Sequence, residues 1–368
     1  MSIQQLRPVF VMAGGTGGHV FPALAVANIL RDKGEQVVWL GTHAGLESSV
    51  VPKAGFTMEW ISISGLRGEG IMPLLKAPLK LINACIQAWK IFRLHRPKAV
   101  LGMGGFVSGP GGLVAWLLRV PLFIHEQNSI IGLTNRMLSR LAQKNYVAFP
   151  SAAEQLKHHR HVEYVGNPVR IELIDLPPPA DRFASRQSDK LNLLVIGGSL
   201  GAASLNRVIP QAIALLGEDS KLEVKHQCGQ KHLKTCKNEY QTNQVQAEVL
   251  AFIDDMKAVY LWADLVICRA GALTIAELAA VGLAAILVPY PYAVDDHQFY
   301  NALYLQQSAA ARLIRDDELN AQSLADLLQH FQLQRAELLT MAENARVLAK
   351  KDAAQIVANG ILAGAISD

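Results

Sequence analysis

The 368-residue chain contains little cysteine and little charge. Its four cysteines show neither a Cys-x-x-Cys pair nor a zinc-ligand spacing. This excludes a disulfide framework and a structural zinc site, and it suits a reducing cytoplasm. Charged residues make up only 18% of the chain and hydrophobic residues 51%, which excludes a disordered protein. The length is too great for one ordinary core and predicts two domains.

Several nucleotide-binding and metal-binding signatures are also missing. There is no Gly-Lys-Ser or Gly-Lys-Thr, so the phosphate-binding loop of the P-loop enzymes is excluded. The first glycine turn has Val20 where a dinucleotide fold needs its third glycine, and no acidic residue ends the second strand. No Asp-x-Asp pair occurs. We therefore expect no metal ion and no bound cofactor at the site.

Short apolar runs alternate with longer helical patterns along both halves of the chain. This alternation is typical of parallel strands joined by crossover helices, and it predicts an α/β fold. The predicted strands are Val9–Ala13, Val37–Leu40, Ala99–Met103, Leu122–His125, Leu191–Ile196, Leu265–Cys268 and Ala285–Pro289. Proline and glycine near residue 167 indicate a junction between the halves, and the tail reads as helices without a further strand.

Three strands end in glycine-rich turns that lead into helices. The turns are Gly14 to Gly18, Gly102 to Gly105 and Gly197 to Gly201. A helix that begins this way presents unpaired amide groups and its positive dipole end to any anion. One such turn is often no more than a tight bend, but three together favour phosphate binding.

A segment between Ile71 and Lys98 holds the basic residues that set the net charge of +4. It has no Asp or Glu but contains Lys76, Lys80, Lys90, Arg93, Arg96 and Lys98. A polar stripe runs beside an apolar stripe of Leu79, Ile82, Ile86 and Trp89. An ordinary amphipathic helix that covers its domain accounts for the apolar stripe but not for the unbalanced charge. An anionic membrane surface fits such a segment. Nucleic acid is the alternative partner, but no nucleic-acid motif accompanies the segment, so we expect none to bind.

Six motifs occur in one order from residue 14 to about residue 302, and together they resemble the MurG family of peptidoglycan glycosyltransferases. The motifs begin at Gly14 (GGTGGH), Gly102 (GMGGFVSGP), His125 (HEQN), Gly166 (GNPVR), Gly197 (GGS) and Ala272 (ALTIAE). The resemblance implies the GT-B fold, in which two doubly wound Rossmann-like domains face each other across a cleft. It implies an acceptor and membrane-association domain at 1–167, a UDP-GlcNAc-binding domain at 168–345, and a final helix at 346–368 that packs back on the first domain.

The resemblance also implies an activity. Members transfer N-acetylglucosamine from UDP-GlcNAc, with inversion, to the C4 hydroxyl of undecaprenyl-diphosphate-linked muramyl-pentapeptide, which converts lipid I to lipid II. The implied location is the cytoplasmic face of the bacterial inner membrane, as a peripheral protein beside other cell-wall synthesis and division proteins. Two alternatives stay open: a soluble UDP-sugar epimerase of the same architecture, and a silent nucleotide-sugar-binding or lipid-binding scaffold.

Direct displacement needs a base for the acceptor hydroxyl and a stabilised diphosphate leaving group. We expect His19 to be the base, with Glu126 in reserve; a histidine there could instead cap the helix or bind phosphate. Gly104 and Gly105 are expected to form an acceptor or phosphate loop. The other substrate contacts that the resemblance implies are Thr16, Gly17, Gly18, Asn128, Arg170, Ser199, Ile253, Ala272, Leu273, Thr274, Ile275, Ala276, Glu277 and Gln298.

Five of these residues have specific implied roles. Ser199 meets the donor phosphates, although a serine there could equally cap a helix. Arg170 neutralises the departing diphosphate. Glu277 accepts the ribose hydroxyls, although an acid near a helix start is also favoured by the helix dipole. Gln298 contacts the sugar hydroxyls, and the backbone of Ile253 meets the uracil.

Overall fold

The computed structural model describes residues 7–63, 71–159, 161–186, 188–198, 201–217 and 220–366, without the side chains of 71–76 and 366. Ser199 and the side chain of Lys76 fall outside this description. Contacts divide the chain into two units, Met1–Arg170 with Lys351–Asp368, and Ile171–Lys350. The sequence placed these boundaries after residues 167 and 345.

Unit 1 is a seven-stranded sheet in which every strand pairing is parallel. Its strands are β1 Val9–Met12, β2 Val37–Gly41, β3 Thr57–Trp60, β4 Ala99–Gly102, β5 Leu122–Glu126, β6 Lys144–Val147 and β7 Val162–Tyr164. Its helices are α1 Gly17–Asp32, α2 Glu47–Lys53, α3 Ile71–His95, α4 Gly105–Leu117, α5 Leu133–Leu138, α6 Pro150–Gln155 and α16 Ala353–Ile366, the last of which packs on α1.

Unit 2 is a six-stranded sheet, also with parallel pairings throughout. Its strands are β8 Leu191–Ile196, β9 Leu222–Gln227, β10 Glu248–Leu250, β11 Leu265–Cys268, β12 Ala284–Leu287 and β13 Ala311–Leu313. Its helices are α7 Ile171–Ile174, α8 Pro179–Ala184, α9 Ala203–Leu215, α10 Leu233–Thr242, α11 Met256–Trp262, α12 Ala272–Val281, α13 His297–Gln306, α14 Ala321–Leu333 and α15 Arg335–Val347. The predicted α/β class with two Rossmann-like units is confirmed.

The strand sequences explain this layering. In β1, Val9 and Val11 pack into the core beneath α1 and α16, while Phe10 and Met12 pack into the core on the opposite face. A strand covered by helices on both faces must be apolar at every position, which is why the central strands read as continuous hydrophobic runs. Strand order reverses between β1 and β4 in unit 1 and between β8 and β11 in unit 2. Crevices for ligands form at such reversals, beyond the carboxyl ends of the strands.

No helix in the described part of the chain has the length and the apolar character that a bilayer crossing demands.

Candidate active site

The glycine turns of unit 1 follow the two strands at which its strand order reverses. The first turn joins β1 to α1, and the second joins β4 to α4. The two turns touch, because a Cβ atom added at Gly105 would lie 2.8 Å from the carbonyl oxygen of Gly14. Gly105 also has a φ of +77°. Glycine at this position is therefore required by backbone approach as well as by conformation.

Glu47 holds the first glycine turn in place through a hydrogen bond to its backbone. The sequence analysis did not identify this residue. Its buried carboxylate accepts hydrogen bonds from the Gly15 amide at 2.9 Å, the Thr42 amide at 3.0 Å and the Thr42 hydroxyl at 2.8 Å. A Cβ atom at Gly14 would lie 2.6 Å from a Glu47 oxygen. Part of the glycine pattern thus serves this carboxylate, and the Gly15 amide is not available to a phosphate.

The first turn of α1 carries Thr16, Gly17, Gly18 and His19. Thr16 is the N-cap residue, and its side chain makes no capping hydrogen bond. The amides of Gly17 and Gly18 come before the first helical hydrogen bonds, which His19 and Val20 donate to the Thr16 carbonyl oxygen at 3.1 and 3.2 Å, and they lie at the positive end of the helix. The start of α1 therefore has the amide groups that an anion-binding site needs.

Half-buried His19 lies at one end of a chain of polar contacts that runs inward through Gln127 and His125. Its Nδ1 is 2.7 Å from Oε1 of Gln127, whose Nε2 is 3.0 Å from Nδ1 of His125 and 2.9 Å from the His125 carbonyl oxygen. Nε2 of His125 donates to the Gly166 carbonyl at 2.9 Å. Burial lowers the pKa of His125 to about 4, so this residue stays neutral at physiological pH.

Gly104 leaves the space that the His19 ring occupies. A Cβ atom there would lie 3.2 Å from Cε1 and 3.3 Å from Nδ1 of His19, and its φ is +84°. The predicted acceptor-loop residues Gly104 and Gly105 are thus brought together with the predicted base.

Glu126, the reserve base of the sequence analysis, is buried and holds a loop. Its carboxylate accepts hydrogen bonds from the amides of Asn128 at 2.9 Å and Gly132 at 3.1 Å, and from Nδ2 of Asn135 at 2.9 Å. These donors occupy both oxygens, which favours a structural task for the group. Asn128, a predicted sugar contact, is half-buried at the start of this loop.

Arg170 falls in unit 1. Its guanidinium lies 5.9 Å from the centre of the Phe21 ring in α1. Its role at the diphosphate stays a prediction.

Unit 2 contains a cavity of about 590 Å³ at the carboxyl ends of β8, β11 and β12, a size suited to a small-molecule ligand. Three predicted features line it: the third glycine turn at Gly197, Gly198 and Gly201, then Thr274, then Gln298. Ser199 belongs to this turn but lies outside the described residues. Helix α9 begins at Ala203, and its N-cap residue is Ala202.

An arginine that the sequence analysis missed lines this cavity together with its carboxylate partner Asp316. Arg269 follows β11 and is largely buried. Its guanidinium donates to the Pro289 carbonyl at 3.1 Å, to the Ser204 hydroxyl at 3.0 Å and to the Asp316 carboxylate at 2.5 Å. A guanidinium held by several acceptors is fixed in place and suited to an anionic ligand. Its position directly after a predicted central strand was the signal that could have identified it.

The remaining predicted donor residues have structural partners in unit 2. The Ile253 amide donates to Oε1 of Gln227 at 3.0 Å, and the Tyr260 hydroxyl donates to the buried Glu277 carboxylate at 3.0 Å. Oε1 of Gln298 accepts from the Tyr290 amide at 2.9 Å. Within the described walls of the cavity, Ile253 and Glu277 are not lining residues.

Residues 272–276 form the first half of α12, which begins at the mouth of the cavity. Gly271 is the helix N-cap, and both Gly271 and Thr274 line the cavity. Of the five predicted residues, Ala272, Leu273, Thr274, Ile275 and Ala276, Thr274 alone lines the cavity as described. The other residues near the start of α12 contribute backbone amide groups, which lack partners within the first turn of a helix, rather than side chains.

Helix α3 exposes the apolar stripe that was expected to cover the domain. Leu79 is 70% exposed, Ile82 56% and Ile86 50%, whereas the residues that pack inward are Ala84, Ala88 and Phe92. An apolar groove of about 450 Å³ lies between this stripe and exposed residues of α4. The domain-covering interpretation of the stripe is therefore wrong. Of the basic residues, Lys98 pairs with Glu35, while Lys90 and Arg93 are exposed.

Comparison with known proteins assigns the family. Residues 9–147 match the glycosyltransferase family 28 N-terminal domain, and residues 192–357 match its C-terminal domain. The UDP-N-acetylglucosamine--N-acetylmuramyl-(pentapeptide) pyrophosphoryl-undecaprenol N-acetylglucosamine transferase of Dechloromonas aromatica is 51% identical over 96% of this chain and 97% of its own length. The enzyme of the same name from Nitrosococcus oceani is 50% identical over 96% and 98%.

A solved structure agrees with this assignment. The crystal structure of Acinetobacter baumannii MurG is 38% identical, with a TM-score of 0.80 over 97% of this chain and 99% of that one. The chain therefore belongs to glycosyltransferase family 28 and, within it, to the MurG family.

Proposed function

We propose that this chain transfers N-acetylglucosamine from UDP-GlcNAc to the C4 hydroxyl of undecaprenyl-diphosphate-linked N-acetylmuramyl-pentapeptide, with inversion at the anomeric carbon. The observation that carries the proposal is identity of about one half, across both units, to transferases named for this reaction. A soluble epimerase finds no support among these relatives.

The donor is proposed to bind in unit 2. The cavity of about 590 Å³ combines the amides of a glycine turn, the start of α12 and the Arg269 guanidinium. These groups stabilise the diphosphate more strongly in the transition state than in the bound donor, because negative charge develops on it as it leaves. The Ile253 amide donates to Gln227, so we propose that the carbonyl oxygen of Ile253 accepts a hydrogen bond from a uracil N–H.

The acceptor is proposed to bind at the glycine turns of unit 1, with its diphosphate on the amides of Gly17 and Gly18. His19 then takes the proton of the attacking hydroxyl. The oxygen forms its bond to the anomeric carbon as the bond to the UDP oxygen breaks, and the electron pair leaves with UDP. One such displacement inverts the anomeric carbon and requires no enzyme nucleophile.

We propose that neither a metal ion nor another bound cofactor takes part. The absence of an Asp-x-Asp pair in the sequence supports this, and so does the fixed guanidinium beside the donor cavity. Turnover should survive excess chelator and should not rise when magnesium is added back.

We propose that α3 and α4 rest on an anionic membrane, at the cytoplasmic face where the acceptor is held. Exposed Ile82, Ile86, Trp116 and the groove between the helices supply apolar contact, and Lys90 and Arg93 supply charge. Each cation near an anionic bilayer contributes about 1 kcal/mol. The chain should sediment with anionic vesicles at low salt and be released at high salt, and Lys90→Glu with Arg93→Glu should weaken binding. Equal binding to neutral vesicles would contradict the electrostatic part.

Transfer of radiolabelled sugar tests the function itself. The chain is incubated with labelled UDP-GlcNAc and lipid-linked muramyl-pentapeptide, and the lipid is extracted. Labelled lipid is expected. An isomerised UDP-sugar without labelled lipid would favour an epimerase, and bound but unreacted donor would favour a scaffold.

A further inference from the structure

Gln127 makes contacts that fix the direction of its hydrogen bond with the His19 ring. Nε2 of Gln127 lies 2.9 Å from the carbonyl oxygen of His125, and a carbonyl oxygen can only accept. The atom facing it must therefore be the amide nitrogen of Gln127. The amide oxygen is then the atom that faces His19, at 2.7 Å from its Nδ1.

His125 gives an independent check on this orientation. Its Nε2 faces the Gly166 carbonyl oxygen at 2.9 Å, so Nε2 carries the hydrogen. In a neutral ring Nδ1 is then an acceptor, and the Gln127 nitrogen lies 3.0 Å from it. Burial keeps the ring neutral by lowering its pKa to about 4. Both contacts of the Gln127 nitrogen are donations, which agrees with the orientation set by the carbonyl group.

The consequence concerns which nitrogen of His19 holds the hydrogen. The Gln127 amide oxygen can only accept, so Nδ1 of His19 must donate to it. We infer that Gln127 is a positioning residue that holds neutral His19 in its Nδ1–H tautomer and leaves the lone pair on Nε2 as the proton acceptor. This inference rests on the proposed function for the identity of the proton that Nε2 receives.

The surrounding packing supports the same orientation. Gly104 borders the Nδ1 and Cε1 edge of the ring, because a Cβ atom added there would lie 3.3 Å from Nδ1 and 3.2 Å from Cε1. Gln127 is 99% buried, so water does not compete for its amide oxygen. When Nε2 takes the hydroxyl proton, Nδ1–H keeps its hydrogen bond, and the chain of contacts behind His19 needs no rearrangement.

The tautomer can be observed directly. We would label the histidines with nitrogen-15 and record long-range proton–nitrogen correlations at about pH 8. The His19 signals are assigned by their loss in His19→Ala. The expected pattern has a pyrrole-like Nδ1 and a pyridine-like Nε2. The opposite pattern would overturn the inference, whatever the enzyme transfers.

Gln127→Met tests the role of the glutamine in that pattern. The variant is close in volume but lacks both amide groups. We expect the His19 signals to move toward the other tautomer and kcat to fall on the order of 10- to 100-fold, with the KM for UDP-GlcNAc unchanged. An unchanged His19 spectrum in the folded variant would overturn the inference, because a merely structural glutamine affects only unfolding.

Gln227→Met is the matched control, because Gln227 is a buried glutamine that ends β9 in unit 2 and holds Ile253. It should raise the KM for UDP-GlcNAc and leave the His19 spectrum as it is. If the wild-type spectrum has the expected pattern but His19→Ala retains turnover, the proposed base fails while the tautomer assignment stands. If Gln127→Met does not fold, the wild-type spectrum alone still decides the inference.

Discussion

The two units place similar glycine turns at the same point of similar sheets but surround them with different groups. In unit 1 the turns pack against a buried carboxylate, against each other and against the His19 ring. In unit 2 a Cβ atom at Gly198 would meet nothing within 4 Å, and the turn opens on a cavity that contains Arg269. Each turn mixes packed and open positions, since a Cβ atom at Gly15 would meet nothing within 4 Å and one at Gly197 would lie 2.9 Å from the Ala202 amide nitrogen. The difference lies in the neighbours, which are the His19 ring in unit 1 and the Arg269–Asp316 pair in unit 2.

This difference teaches that a glycine turn after a strand specifies a place and not a task. The strand-order reversal puts both turns where ligands gather. The task depends on residues distant in sequence, which are Gln127 and His125 in unit 1 and Arg269 and Asp316 in unit 2. Under the proposed function, His19 and its partners in unit 1 carry out the chemistry, and the cavity of unit 2 binds the donor.

The largest effect is expected from removing the base in unit 1. His19→Ala should lower kcat about 10²- to 10⁴-fold, the usual contribution of a positioned general base. Steady-state transfer to the lipid acceptor measures this. Turnover within a factor of two of the parent would mean that another group takes the proton of the acceptor hydroxyl. It would contradict the proposed role of unit 1 in the chemistry.

A buried neutral histidine in each unit should make stability fall in acid. Burial lowers the pKa of His125 to about 4 and that of His226 to about 3, both below the unfolded value of 6.5. The unfolded chain therefore binds more protons, so stability falls as pH drops from about 6.5 toward each folded value, by about 3 kcal/mol for His125. The free energy of unfolding, measured with urea across this range, should fall less steeply with acid in His226→Gln than in the parent chain. His226 is the residue to replace because its folded pKa is the lower of the two, so its contribution is lost over the wider pH interval. An unchanged slope would contradict the assignment.

Removing the cation of unit 2 should affect donor binding rather than chemistry. Arg269→Ala loses hydrogen bonds between charged groups and leaves Asp316 unpaired, so we expect UDP-GlcNAc affinity to fall about 10- to 100-fold. Arg312→Ala is the matched control, since that arginine pairs with Glu337 at the surface and should change affinity less than twofold. Calorimetric titration measures both, and equal affinities would remove Arg269 from the donor site.

The smallest effect should separate a packed glycine of unit 1 from an open glycine of unit 2. Gly105 and Gly198 have φ values of +77° and +78°, so alanine strains both backbones by about 1 kcal/mol. Gly105→Ala also drives its Cβ atom against the Gly14 carbonyl, which adds on the order of 1–3 kcal/mol. The free energy of unfolding should therefore fall further in Gly105→Ala. Equal losses would show that the unit 1 turns can move apart.

The fold was predictable where strands are buried on both faces. β8 and β11 have the predicted bounds, and β1, β2, β4 and β5 differ by one residue at one end. Strands such as β3 and β10 were missed because they lie at sheet edges, where half-exposed sequences such as Thr57–Trp60 have no continuous apolar run. Edge strands are fixed by pairing with a neighbour, which local sequence does not reveal.

The site was predictable only as far as motifs reach. The motifs located His19, the Gly104–Gly105 turn and the residues Thr274 and Gln298 of the donor cavity. They did not reveal Glu47, because its partners Gly15 and Thr42 come from two different loops. They did not assign a task to Gln127 either, since its role depends on which of its atoms faces each histidine.

The division of labour between the units is tested most directly by titrating UDP-GlcNAc into the His19→Ala protein. The account predicts a dissociation constant equal to that of the parent chain, because unit 2 supplies the donor contacts. A loss of affinity of tenfold or more would mean that His19 holds the donor, and it would contradict the assignment of chemistry to one unit and donor binding to the other.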